Sequence, residues 1–266
     1  MAKVSVNGCE FYYEVHGQGD PLVLIMGLRR NVEWWYRQIP ALSKHFQVIA
    51  FDNRGAGRSD KPVMEYSMRL LADDTAGLME ALDIQDAHIL GISMGGYIAQ
   101  ELALNYPAKV KSLVLGCTGC GGDRAVIMSP ERMEKFTANK GLNPEEILRK
   151  DMDIYFSDDH VDQHPEKIEK FIEISMRYYQ PADAFFRQFD ACQRHDTGDR
   201  LNQLSLPTLI MTGDDDPLVP PQNSHILKDL IAGAELSVFA GGRHCFFIER
   251  ADQFNQKAVD FFKANS

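Results

Sequence analysis

Short, almost wholly apolar runs recur along this chain, and most are followed by a segment with helical periodicity. No other feature limits the fold as much. Pro21-Leu22-Val23-Leu24-Ile25-Met26-Gly27 is the clearest run, unbroken and ending at glycine, the pattern of a strand buried on both faces. Comparable runs stand at 46–52, 87–92, 110–116, 208–212 and 235–240. Helical patterns fall at about 34–44, 67–83, 95–106, 222–231 and 253–263. Ahead of them, 3–8 and 10–16 alternate around Asn7-Gly8, which predicts a hairpin. Strands alternating with helices predict an α/β fold, a mostly parallel central sheet flanked by helices.

The rhythm breaks after Gly116. From about Ser129 to His195 there is no strand pattern, only four helical segments. Three of them open on a polar residue, a proline and early acids: Ser129-Pro130-Glu131, Asn143-Pro144-Glu145-Glu146 and His164-Pro165-Glu166. The fourth begins near Pro181-Ala182-Asp183. A helical stretch cannot join the sheet, and it leaves from a strand's C-terminal edge, where parallel sheets place their sites. The expectation is an inserted all-helical cap over 121–199, on a core domain made of 1–120 and 200–266.

With 266 residues, 44% of them hydrophobic and 25% charged, the chain is long enough to bury a core without staples. A formal net charge of -10 argues against a nucleic-acid partner. No apolar stretch approaches the ~20 residues of a membrane span. The opening, Met1 to Gly8, reads as strand rather than leader, and five scattered cysteines suit a reducing compartment. A cytoplasmic protein is therefore expected.

Chemistry concentrates in three places. Gly91-Ile92-Ser93-Met94-Gly95 fits G-x-S-x-G between an apolar strand and an alanine-rich helix, so Ser93 is the candidate nucleophile. A serine hydroxyl needs a base, and His244 follows the last strand on the glycine loop Gly241-Gly242-Arg243. Of the other histidines, His88 reads as structural, while His160, His164 and His195 read as surface residues. The imidazole needs a carboxylate, and Gly213-Asp214-Asp215-Asp216-Pro217 follows the preceding strand. Asp216 is the candidate, with Asp215 as fallback and Asp123 as a more distant alternative. Backbone N–H groups of Leu28 and Met94 are expected to form the oxyanion hole. No cofactor or metal is expected; the lone pair Cys117 and Cys120 lacks the second cysteine pair of a zinc site.

Together these residues resemble the α/β-hydrolase superfamily over nearly the whole chain except the cap, in its capped serine-nucleophile branch. Asp52-Asn53-Arg54-Gly55-Ala56-Gly57-Arg58-Ser59 is similar to the D-x-R-G-x-G-x-S turn of capped members, which in relatives braces the oxyanion loop. The resemblance implies a serine carboxylic-ester hydrolase, akin to carboxylesterases and 3-oxoadipate enol-lactonases. Carbon–carbon bond hydrolases and cofactor-free haloperoxidases are alternatives, and a ligand-binding module on the same fold is the non-enzyme one. Met26-Gly27 stands where many members have His-Gly, and Cys245 stands where carbon–carbon hydrolases commonly carry tryptophan. The expected partner is a small ester or lactone. Trp34, Arg29 and Phe246 are candidate contacts. Either Arg29 or Arg30 could meet an acidic group, with at least one of them simply solvated. Aromatic residues of the insertion favour a modest hydrophobic ester over a highly charged one.

Overall fold

Successive side chains of a strand point to opposite faces, so an unbroken apolar run needs cover on both sides. The computed structural model, which describes residues 2–266, supplies it; Met1 lies outside the described residues. Leu22 and Leu24 enter one core cluster while Val23 and Ile25 enter the other, across the sheet. Eight strands form that sheet: β1 (Ala2–Val6), β2 (Cys9–His16), β3 (Pro21–Ile25), β4 (Gln47–Phe51), β5 (Ala87–Ile92), β6 (Val110–Gly116), β7 (Thr208–Gly213) and β8 (Glu235–Phe239). Their order is β1-β2-β4-β3-β5-β6-β7-β8. β1 and β2 pair antiparallel around Asn7 and Gly8, both at positive φ, and β2 pairs antiparallel with β4. From β4 to β8 every pairing is parallel.

The helix expected over 34–44 is interrupted. A 3-10 turn covers Val32–Trp35 and a short helix covers Ile39–Leu42. Pro40 explains the break: it has no N–H for a continuing ladder and is tolerated only in a helix's first turn. Trp34 and Trp35 are driven into the core instead. Between 121 and 199 the described residues form six α-helices rather than four: Pro130–Thr137, Pro144–Lys150, Met152–Tyr155, Asp158–Gln163, Pro165–Met176 and Ala182–Gln193. The three proline signals each mark a true start, and Asn143 with Glu146 completes a capping box. The two additional helices have four and six residues, too few for a periodicity to show. A bridge between Gly121 and Asp196 holds the two ends of this insertion together.

His195 corrects an expectation. It is buried, not on the surface: its ring lies against Tyr97 (centroids 4.3 Å apart) and its Nδ1 is 3.9 Å from Glu101 Oε1. The segment after helix Ala182–Gln193 turns back onto the sheet domain, where Gly122 N donates to the His195 carbonyl. Burial pushes the imidazole down to about 4. A second buried ionic feature, Arg54 with Asp74, is a bidentate pair at 2.6 and 2.7 Å with both side chains almost wholly enclosed.

Both features predict measurable behaviour. Between pH 6.5 and 4 the unfolded chain takes up a proton that folded His195 refuses, so stability rises with pH across that window and falls on acidification. The component is on the order of 3 kcal/mol and should vanish in His195→Gln. Urea midpoints at pH 7 and 4.5 check it, and equal acid losses in both proteins would contradict it. Asp74→Ala leaves a buried guanidinium unpaired and should cost about 3–5 kcal/mol, whereas Arg54→Met with Asp74→Leu together should recover most of that loss. If the double variant is no more stable than Asp74→Ala alone, the pair is not what Asp74 contributes.

Candidate active site

β5 reaches the helix Met94–Asn105 through a single residue, Ser93, whose backbone is turned to φ 56° and ψ -121°. Such a conformation costs on the order of 1–3 kcal/mol in a non-glycine residue and persists only where the surroundings enforce it. Here they do. A side chain at Gly91 would overlap the Gly95 carbonyl, and one at Gly95 would overlap the Ile25 carbonyl on β3. Ser93 N donates to Gly116 O at 2.9 Å, and Ser93 O accepts from Gly96 N and from Thr118 Oγ1. The hydroxyl is thereby raised at the C-terminal edge of the sheet, beside the helix N-terminus.

His244 and Asp216 arrive at the same edge on the loops after β8 and β7. The two loops touch backbone to backbone, since a side chain at Gly213 would overlap the Gly242 carbonyl, and Asp215 N donates to Gly242 O at 3.1 Å. His244 Nδ1 lies 2.8 Å from Asp216 Oδ2. The other carboxylate oxygen, Oδ1, accepts from Leu218 N (2.8 Å) and Val219 N (3.0 Å). An ionised carboxylate can only accept, so the bond places the ring proton on Nδ1 and leaves Nε2 free to take one. Asp215 instead faces solvent and binds Arg243 Nε at 3.0 Å, and Asp123 sits exposed in the 3-10 turn Gly122–Arg124. Of the three acids considered, only Asp216 reaches His244.

Ser93 and His244 line one cavity of about 260 Å³, together with Leu28, Met94, Arg29, Trp34 and aromatic residues of the insertion. Gly27 runs so close to Ser93 that a Cβ there would stand 3.1 Å from the serine Cβ. Met94 is the first residue of its helix, so its N–H has no partner within that helix. Among the described residues, neither the Leu28 nor the Met94 N–H donates to another main-chain group outside helices and strands.

The loop carrying Leu28 is held from behind by the 52–59 turn. Asp52 Oδ1 accepts from Val32 N at 2.7 Å, and Asn53 Nδ2 donates to Met26 O at 2.9 Å. Gln188, from the insertion, accepts from Arg29 N (3.3 Å) and donates to Arg54 O (2.8 Å). The His244 loop is tied to the insertion as well: His244 N donates to Ile154 O and Cys245 N to Tyr155 O. Neither Gln188 nor the short helix Met152–Tyr155 carries a sequence signal, because a glutamine in a helix and a four-residue turn look like any others.

Phe246 is not a cavity residue. It opens the short helix Phe246–Glu249 with its ring wholly buried against Phe239 and Phe254, and its neighbour Phe247 reaches the cavity wall instead. Cys117 and Cys120 are free thiols. Cys117 Sγ lies with the ligating atoms of Asp216 and His244 inside a 4.8 Å group, the composition of a small metal site. The fit is poor, since Asp216 and His244 are already spent on each other and on amides, and burial pushes the Cys117 thiol well up.

Comparison with known proteins agrees with this architecture. A family model described as the alpha/beta hydrolase fold matches residues 20–251. A protein of Azorhizobium caulinodans, provisionally named carbamate hydrolase RutD, is 28% identical over 252 residues, 95% of this chain and 94% of that one. The enol-lactonase of Burkholderia xenovorans LB400 superposes with a TM-score of 0.87 at 26% identity, covering 98% of this chain and 100% of that one. A meta-cleavage product hydrolase of Pseudomonas fluorescens IP01 superposes with a TM-score of 0.84 at 31% identity, covering 100% and 98%. With its eight-stranded sheet, its strained turn at Ser93 and a family match spanning most of its length, this chain belongs to the α/β-hydrolase family.

Proposed function

We propose that the protein is a serine hydrolase that cleaves a small to medium, largely apolar ester or lactone through an acyl-enzyme. One observation carries the reading: a buried Asp216–His244 pair opens onto the cavity that also holds the strained Ser93. Ser93 Oγ attacks the substrate carbonyl while His244 Nε2 takes its proton. Asp216 holds the ring in that tautomer and stabilises the imidazolium. The carbonyl oxygen becomes an oxyanion against the N–H groups of Leu28 and Met94. As the tetrahedral intermediate collapses, His244 returns the proton to the departing alkoxide. Water, deprotonated by the same ring, then releases the acid and restores Ser93.

Met128, Phe185, Phe189 and Val219 make the wall apolar, which suits an alkyl or aryl body. Residues 121–199 act as the cap over it, and the five free cysteines suit work in a reducing compartment. Among the described residues, no helix is long and apolar enough to cross a membrane. Likeness to an enol-lactonase supports this choice, and likeness to a meta-cleavage product hydrolase supports carbon–carbon cleavage as a second reading. The same serine attack serves either.

Ser93→Ala and His244→Ala should each lower kcat on p-nitrophenyl butyrate by on the order of 10⁴-fold, and Asp216→Asn by about 10²–10⁴-fold. Asp215→Asn should stay within about twofold, because that carboxylate faces solvent. Full turnover in either alanine variant would show the site misassigned. A lactone, an ester and a meta-cleavage dienone compared by kcat/KM separate the two readings, and a dienone preferred over both others would replace the first.

A further inference from the structure

Arg30 is a buried cation that lacks a counter-ion. The other enclosed arginines are paired, Arg54 with Asp74 and Arg58 with Asp52 and Glu33. Arg30 is only 7% exposed, yet among the described residues no carboxylate lies within 4.0 Å of its guanidinium. What it has is one hydrogen bond, Nη2 to Tyr155 Oη at 2.9 Å, and the faces of Trp34 and Tyr155 at 4.0 and 5.4 Å from its guanidinium carbon. An arginine has five N–H donors and stays charged even where burial pushes its pKa down, as here. Cys245 beside it supplies no negative charge, because burial keeps that thiol protonated. Asp216, a buried carboxylate of the site, is fully engaged by His244 and two amides.

Removing a charge from water without a partner is costly, and chains seldom do so without a use for it. Arg30 lines the cavity that holds Ser93, on the same loop as Leu28, with its own N–H donating to Gly27 O at 3.2 Å to close the turn. Arg29 is occupied differently: its guanidinium lies 4.3 Å over the Phe185 ring, and its backbone is held at φ 71°.

We infer that the substrate carries a carboxylate in addition to the carbonyl under attack, and that Arg30 is the specificity residue that seats it. This rests on the serine-hydrolase reading and narrows it to apolar monocarboxylates. A planar carboxylate matches the guanidinium fork, and a single guanidinium flanked by the rings of Trp34 and Tyr155 calls for one such group. The largely apolar lining takes the remainder of the molecule. The sequence favoured a modest hydrophobic ester over a highly charged one and left open which of Arg29 and Arg30 meets an acidic group, because an arginine's burial is not visible in its neighbours along the chain.

The test uses 3-phenylpropanoate and its neutral isostere 3-phenylpropanamide. In the wild-type protein the carboxylate should inhibit p-nitrophenyl butyrate hydrolysis competitively, with an inhibition constant on the order of 10-fold below that of the amide. Titration calorimetry should give the same ratio without any turnover. Arg30→Met should bring the ratio to about one, and Arg30→Lys should keep part of it. Equal binding of acid and amide to the wild type, or an unchanged ratio in a folded Arg30→Met, would overturn the inference while leaving hydrolysis intact. Absence of ester cleavage with carboxylate binding retained would overturn the hydrolase reading and not this one.

Discussion

The bond between Asp216 and His244 sets the geometry on which the rest of the site depends. The imidazole comes from a loop that glycines 241 and 242 leave free to approach, and on its own such a loop would sample many ring orientations. Burial of the carboxylate, two amide donors on one oxygen and a 2.8 Å bond from the other reduce these to one. The cost of desolvating Asp216 is offset by those hydrogen bonds, as a buried carboxylate requires. The ring then presents one free nitrogen to the cavity holding Ser93.

Around that pair, the sheet and the insertion act as a single support. The strain at Ser93 is enforced by carbonyls of β3 and of its own helix, so it cannot relax without moving the core. On one side the Leu28 loop is fixed by Asp52 and Asn53; on the other, Gln188 ties it to the insertion. Hydrogen bonds from His244 N and Cys245 N to Ile154 and Tyr155 link the insertion to the histidine loop. Tyr155 also holds Arg30. The insertion is thus bonded both to the loop under the proposed nucleophile and to the loop carrying the proposed base, so its position and the site's geometry are mechanically linked.

Legibility from sequence followed the range of the physics involved. Strands β5 and β6 were readable to the residue, because a strand buried on both faces shows as a largely apolar run with sharp ends, broken here only by His88 in one and by Lys111 and Ser112 in the other. The prolines at 130, 144 and 165 marked helix starts, because they act on the backbone locally. Asp216 could be ranked above Asp215 only by its place on the loop, and it took the tertiary contacts to separate them. Phe246 and His195 were misjudged, and Arg30 could not be told apart from Arg29, for one reason: burial of a single side chain is decided by elements far away in sequence. Phe246 and Phe247 differ by one step around a short helix, which no pattern across two identical residues can express.

The central claim is that Ser93 is an activated nucleophile in the folded protein, and labelling with a fluorophosphonate followed by peptide mass mapping tests it most directly. The account predicts one adduct per chain, on the peptide containing Ser93, formed only in folded protein and strongly slowed in His244→Ala. A folded protein that takes no adduct, or takes it on another residue, would contradict the account.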